Sequence, residues 1–387
     1  MNMPYELGKT ILKTLTENNF QAFFVGGFVR DRLLGFKTED IDICTDATPE
    51  EVKKLFPSSL ATGEKYGTMT VFIDQYRYEI TTFRAERNYQ DNRHPGNIVF
   101  ETELAGDLGR RDFTINAMAM GLAEEVIDLF SGRQDLKQRL IRAIGDPLQR
   151  FKEDALRILR AFRFVAKLDF ELEAATKDAI ELAMPLLGRV ANERIRVELT
   201  QIRQYPFRQK AIRLMVDLGI GNVFPEIVPG LDFLANKANL SLTESEFYAL
   251  CFYLANTDIP DKWRFSRVEK RQINAIIAFL KQAQEGSIDW EIVYQHKLAT
   301  SLSGEKLLVG LKPTIYKRGR VQSLWQSLPI KKVSDLALGG NDLKEYFPGN
   351  DKAIGEWLAL AVKLVNSTRI PNEKIALLDY LKQHFRK

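Results

Sequence analysis

Two aspartates stand one residue apart in Asp40-Ile41-Asp42-Ile43-Cys44, a stretch that reads as a β-strand. Strand side chains alternate faces, so both carboxylates point one way while Ile41 and Ile43 point into a core. A pair of hard oxygen ligands on one rigid face suits Mg²⁺ carried on a nucleotide's phosphates. Just upstream, Ala22 to Val25 reads as a short strand that breaks at Gly26-Gly27 into a helix carrying Arg30. Bare backbone N–H groups at a helix start, with an arginine one turn in, offer an anion a binding place. Metal ligands beside a phosphate-binding turn imply nucleotidyl transfer. Glu79 alternates with Tyr78 and Ile80 and so faces away from the apolar side of its strand. It reads either as a third carboxylate that helps deprotonate an attacking hydroxyl or as an ordinary solvated strand charge.

Two further clusters follow. In Arg110-Arg111-Asp112-Phe113-Thr114-Ile115-Asn116, the residues Arg111, Asp112 and Asn116 supply a phosphate donor, a ribose-hydroxyl acceptor and a mixed donor and acceptor. Adjacent arginines can also simply solvate a helix start. Further on, Glu153 to Phe164 reads as one helix with Asp154, Arg157, Arg160 and Arg163 along a drifting face. The bland reading is a solvated charged stripe. The sharper one is base selection. An aspartate accepting from an exocyclic amino group and an arginine donating to a ring acceptor fit cytosine and adenine. Uracil and guanine put a carbonyl against the carboxylate.

The elements that must position these groups divide the chain unevenly. The first third mixes strands and helices. Thr48-Pro49-Glu50-Glu51 reads as an N-cap, a first-turn proline and acidic residues opening a helix to Phe56. Thr68 to Ile73 and Arg77 to Phe83 read as a hairpin turning at Asp74-Gln75, and the polar segment Ala85 to Asn97 as a flexible loop. From about Phe151 helical periodicity dominates, with breaks at Gln204-Tyr205-Pro206 and Gly310-Leu311-Lys312-Pro313. The fold class is α+β.

Taken together and in this order, GGFVRD, EDIDICT, RRDFTINAMA and EDALRILRAFRF resemble the motifs of the class II tRNA nucleotidyltransferases, the CCA-adding enzymes, with the bacterial poly(A) polymerases as near relatives. The spacing is most similar to members from Gram-positive bacteria. Asn192-Glu193-Arg194 resembles a helix-stabilising motif and Gly339-Gly340-Asn341-Asp342-Leu343 a tail-domain turn, although either serves as simple capping. The resemblance implies a polymerase-β-like head with a mixed sheet over residues 1–147, then an all-α neck at 148–205, body at 206–310 and tail at 311–387. It implies that Asp40 and Asp42 hold Mg²⁺. It places nucleotide contacts on Gly27, Arg30, Arg111, Asp154, Arg157, Arg160 and Arg163, to which the residue chemistry above adds Gly26, Asp112 and Asn116. The implied activity is template-independent addition or repair of the 3′-terminal CCA of tRNA from CTP and ATP, with release of pyrophosphate. Alternatives are a CC-adding or A-adding enzyme or a poly(A) polymerase. A non-catalytic tRNA-binding protein is more remote, because it need not keep Asp40, Asp42 and Arg111.

The bulk properties agree. The 387 residues are 45% hydrophobic and 27% charged, with a net charge of +4, ordinary for a globular protein and compatible with a polyanionic partner. Two cysteines, Cys44 and Cys251, make no disulfide framework and fit a reducing cytoplasm. No secretory signal is evident, and no apolar run is long enough to span a bilayer. The three histidines, His94, His296 and His384, are scattered, which excludes a histidine-rich phosphohydrolase domain and gives no zinc cluster. The densest basic stretch holds Lys312, Lys317, Arg318 and Arg320, read as phosphate contacts along a tRNA arm or as a solvated helix face. The oligomeric state stays open, a homodimer included.

Overall fold

The computed structural model describes residues 3–38, 40–63, 67–89, 95–100, 103–237, 240–283, 287–348 and 351–385. The chain forms two compact units, Met1–Ser241 and Leu242–Lys387.

The first unit opens with α1 (Met3–Glu17), β1 (Ala22–Val25), α2 (Gly27–Leu33), β2 (Asp42–Thr45) and α3 (Pro49–Leu55). Next come β3 (Ser59–Gly63), β4 (Thr68–Ile73), β5 (Tyr76–Thr82), β6 (Arg84–Tyr89), β7 (Pro95–Phe100), α4 (Leu104–Gly109), β8 (Met118–Met120) and β9 (Val126–Asp128). A seven-stranded mixed sheet has the order β3-β4-β5-β2-β1-β8-β9, with β2 and β5 parallel and β1 antiparallel to both β2 and β8. One face of the sheet is sealed by α1 and α2, where the rings of Tyr5, Phe24 and Phe28 pack with centroids 5.1 to 5.6 Å apart. The opposite face packs Val25, Cys44 and Phe83 against Leu104, Leu108 and Ala117. Asp42 shares that second face, because it lies opposite Val25 in the ladder and two residues from Cys44.

Local chemistry explains several boundaries. Thr48 and Glu51 close a reciprocal capping box at the start of α3, with Pro49 in the first turn. The β4–β5 hairpin turns at Asp74, in the left-handed region at φ 54. The DxD strand begins at Asp42, so Asp40 sits in the extended link before it. The expectation of a loop over Ala85 to Asn97 is corrected: β6 and β7 pair with each other as an antiparallel ribbon, separate from the main sheet. A ribbon that joins no larger sheet has no requirement for an apolar face, which is why no periodicity betrays it. Residues 90–94 of that segment lie outside the described residues.

Helices then take over: α5 (Gly132–Gln138), α6 (Pro147–Glu153), α7 (Leu156–Leu168), α8 (Ala174–Ala183), α9 (Asn192–Gln204), α10 (Arg208–Asp217) and α11 (Val228–Ala235). The short strands β10 (Leu140–Ile141) and β11 (Glu171–Leu172) pair in parallel. Asp154 is not on the helix it was assigned to. It closes α6 in an extended conformation, φ −144 and ψ 103, and α7 starts two residues later. Its carboxylate accepts the Leu156 N–H at 3.1 Å, the local bond that aspartate makes before a helix.

The second unit holds α12 (Glu244–Leu254), α13 (Arg267–Gln282), α14 (Trp290–Leu311), α15 (Arg320–Ser327), α16 (Gly340–Tyr346), α17 (Ile354–Asn366) and α18 (Lys374–Phe385). Ile330, Leu338, Leu343, Trp357, Val362, Leu377 and Leu381 belong to its C-terminal core. Lys312 ends α14, and Lys317, Arg318 and Arg320 follow on the exposed stretch into α15. Among the described residues no helix is long and apolar enough to cross a membrane.

Candidate active site

The site is built where β1 ends. Val25 lies opposite Asp42, and Asp42 lies opposite Glu79, so the Gly26 turn and both strand carboxylates are neighbours by register. Gly26 has φ 70, and a Cβ there would sit 3.0 Å from Arg111 Nη1 and 3.5 Å from Asp42 Oδ2. Only glycine fits both the dihedral and the gap. At Gly27 a Cβ would lie 3.4 Å from Arg30 Nη2. Each of the two bare Cα atoms thus faces a guanidinium.

One cavity collects these groups. Its lining includes Gly26, Gly27, Arg30, Asp40, Asp42, Arg111, Asp112, Asn116, Asp154, Arg157, Arg160 and Arg163, which is every nucleotide-contact and metal residue expected from the sequence. Glu79 is not in the lining. It is exposed and acts on Asp42 through charge. Burial, Asp40 and Glu79 together push Asp42 up to about 6, and Arg111 opposes them. A carboxylate that resists ionising beside a second one is part of a donor set that a dication satisfies, so Asp40 and Asp42 fit a divalent metal. Among the described residues no three His, Cys, Asp or Glu side chains gather as a metal cluster.

Beneath the floor lies Asp107, fully buried and bound to Arg110 at 2.6 Å and Arg111 at 3.0 Å. Burial opposes its ionisation, but the two guanidinium groups hold it below the usual carboxylate range. Asp107 fixes Arg111 by Nη2, while Nη1 faces Gly26 and the buried Nε has no hydrogen-bond partner.

Asp112 is also held charged, well below the carboxylate range, although burial works against it. Its Oδ1 accepts from the Phe113 N–H at 2.8 Å and from Asn116 Nδ2 at 3.0 Å, and its Oδ2 from Arg160 Nε at 2.7 Å. A ribose hydroxyl reaching Asp112 would therefore bind beside Arg160.

The residues expected to read the base share the cavity but do not pair with each other. Asp154 is bound by Arg194, 2.8 Å from Nη2 to Oδ2 and 3.3 Å from Nη1 to Oδ1. Arg157 donates to Glu153 Oε2 at 2.8 Å and to the carbonyls of Arg110 at 3.1 Å and Arg150 at 3.3 Å. Arg163 Nε lies 2.7 Å from Glu198 Oε2 but off the hydrogen-bond direction, an ion pair without a directed bond. Sequence reasoning missed Asp107, Arg194, Arg84, Lys167, Gln201 and Tyr205. The Asn192-Glu193-Arg194 resemblance was the one signal that pointed at any of them.

Three family models match the chain in succession. The family "Poly A polymerase head domain" matches residues 22–142, "Probable RNA and SrmB- binding site of polymerase A" matches 169–231, and "tRNA nucleotidyltransferase domain 2 putative" matches 242–381. The CCA-adding enzyme of Lactobacillus helveticus is 37% identical, with 96% of this chain and 95% of that enzyme aligned. That of Bacillus pumilus is 35% identical over 98% of each. The crystal structure of the Bacillus stearothermophilus CCA-adding enzyme in complex with CTP superposes with a TM-score of 0.85 at 30% identity, covering 99% of this chain and 98% of that one. The Thermotoga maritima enzyme complexed with tRNA ending in CCA superposes at 0.68 and 26% identity, covering 98% and 95%.

Proposed function

The chain belongs to the CCA-adding tRNA nucleotidyltransferases, and from that premise we propose how its own residues carry out the reaction. The substrates are tRNA, CTP and ATP. The tRNA 3′-oxygen attacks the nucleotide's α-phosphorus, the new O3′–P bond forms as the bond to the β-phosphate oxygen breaks, and pyrophosphate leaves. The observation that carries the assignment of roles is the single cavity. It joins the Gly26-Gly27 turn, the Asp40 and Asp42 carboxylates and Arg111 to Asp154 and Arg157.

Each residue has a part. Gly26 and Gly27 let the backbone and the triphosphate approach closely, and Arg30 and Arg111 donate to the phosphate oxygens. Asp40 and Asp42 would hold Mg²⁺, which when bound neutralises phosphate charge and eases ionisation of the attacking hydroxyl. Glu79 biases Asp42 from the neighbouring strand. Asp154, kept in place by Arg194, accepts from the amino group of cytosine or adenine, and Arg157 donates to the ring. Asp112 and Asn116 hold Arg160 and Arg30 at the sugar. We assign residues 1–147 to a head, 148–205 to a neck, 206–310 to a body and 311–387 to a tail. The ends of α9 at Gln204 and α14 at Leu311 support two of these boundaries. Lys312, Lys317, Arg318 and Arg320 are exposed and suit tRNA phosphates. The cytoplasm is the compartment that holds this substrate.

The test is to incubate the protein with tRNA lacking its CCA end, Mg²⁺ and each nucleotide singly and mixed, and then to sequence the 3′ ends. CTP alone should give CC, and CTP with ATP should give CCA. One pocket must serve C twice and then A, so something must reshape it between steps, and the segment between β5 and α4 is placed to do so. Deleting residues within Glu86 to Pro95 should leave CC addition and abolish addition of A. A deletion variant that adds A at the wild-type rate refutes this role for the segment, and an intact protein that stops at CC refutes full CCA addition.

A further inference from the structure

Arg160, Phe164 and Lys167 form one stripe of α7, at i, i+4 and i+7. From Lys167 Nζ a 2.8 Å bond runs to Asp31 Oδ2. Asp31 Oδ1 takes Arg30 Nε at 2.8 Å and Nη2 at 2.7 Å. Arg30 Nη1 donates to Asn116 Oδ1 at 2.5 Å, Asn116 Nδ2 to Asp112 Oδ1 at 3.0 Å, and Arg160 Nε to Asp112 Oδ2 at 2.7 Å. The path leaves α7 at Lys167, crosses α2 and the Asp112–Asn116 turn, and returns to α7 at Arg160. In its middle the Arg30 guanidinium rests 5.1 Å from the centre of the Phe164 ring. Arg30, Asp31, Asp112 and Asn116 are all buried, between 3% and 7% exposed.

We propose that Lys167 is a positioning residue for nucleotide binding, and that this closed circuit locks the phosphate-holding Arg30 to the ribose and base side of the pocket. The inference rests on the roles proposed above for Arg30 and Arg160. Its logic is one of donor counting. Arg30 has five N–H groups, of which Asp31 and Asn116 take three, leaving one on each terminal nitrogen for phosphate oxygens. Which ones remain depends on Asp31 presenting a single oxygen to Arg30. Lys167 enforces that by occupying the other. Without it, a buried carboxylate oxygen loses the cation it is paired with, and Asp31 gains by turning both oxygens onto Arg30. The guanidinium then swings off Asn116 and Phe164, and Asn116 releases its hold on Asp112, the carboxylate that holds Arg160.

The test uses the full-length protein and CTP itself. Lys167→Met should weaken CTP binding measured by calorimetry about tenfold, the scale of one charge-assisted hydrogen bond acting through a second group. Lys167→Arg should restore affinity to within about twofold, since it supplies the same charge to the same oxygen. In Asp31→Asn, which removes the shared partner, adding Lys167→Met should cost nothing further, because both act through one contact. The proportion of UTP incorporated against CTP should rise in Lys167→Met, a change that general destabilisation would not produce. Wild-type affinity in Lys167→Met, an arginine variant as weak as the methionine one, or losses that multiply in the double variant would each overturn the circuit. Sequenced 3′ ends from the wild type test the proposed reaction separately, so failure of either reading is distinguishable from failure of the other.

Discussion

Exchanging Asp40 or Asp42 for alanine will remove nearly all nucleotide incorporation while leaving the protein folded and able to bind tRNA. On the proposed roles, losing one of the two carboxylates that would hold metal forfeits several kcal/mol of charge stabilisation, a fall of roughly 10³-fold or more in rate. The fold does not depend on either group. Asp40 is exposed, and the packing at this strand comes from Ile41 and Ile43, 2% and 0% exposed. Asp42 even works against folding when no metal is present. Its carboxyl is raised from 3.8 to about 6, so the folded chain holds this proton more tightly than the unfolded chain does. Stability from this group therefore falls as pH rises through that window, and the cost stands in full above about 6. In chelator at pH 7, thermal melting of Asp42→Ala should come at or above the wild-type temperature. Near-normal turnover by either alanine variant at ordinary Mg²⁺ would sink the assignment.

The second large effect concerns which nucleotide is accepted. Removing Asp154 or Arg157 should flatten the preference for CTP and ATP over UTP and GTP. A matched hydrogen bond whose loss leaves a buried group unpaired is worth about 1–3 kcal/mol, or roughly 5- to 150-fold in discrimination. Because Arg194 grips both oxygens of Asp154, Arg194→Ala should relax selection in the same direction although it need not touch the base. Competition among all four nucleotides, scored from sequenced products, decides the matter. Variants that slow every nucleotide equally would show that Asp154 and Arg157 only hold the helices together. Arg157 is the one at risk, since Glu153 and two backbone carbonyls already engage it.

What the sequence disclosed follows the range of the forces involved. The Gly26-Gly27 break, the Thr48 cap and the Asp74 turn are local chemistry, and each stands where expected. The cavity's cast was legible because its motifs carry their donors and acceptors within a few residues. Its wiring was not. Lys167 lies 136 residues from Asp31 and Arg194 lies 40 from Asp154, and no local pattern encodes such distances. Asp154 was read onto the helix because spacing by threes continues across the Glu153–Leu156 junction. There the Arg157 N–H still reaches the Asp154 carbonyl at 3.0 Å, so the period survives while the helix does not. The β6–β7 ribbon was hidden because its pairing is with itself.

Among the described residues nine cationic side chains and five carboxylates line the cavity, and Asp31, Asp112 and Asp154 are already paired with cations. The surplus that draws in a triphosphate does not vanish when the α–β bond is cut. Pyrophosphate keeps most of the charge and meets the same arginines. Pyrophosphate therefore competes with the incoming nucleotide for those groups, so its accumulation slows the reaction. Progress curves should bend as pyrophosphate accumulates and straighten when a pyrophosphatase is added. Curves unmoved by either would mean that the basin lets go of what it was built to hold.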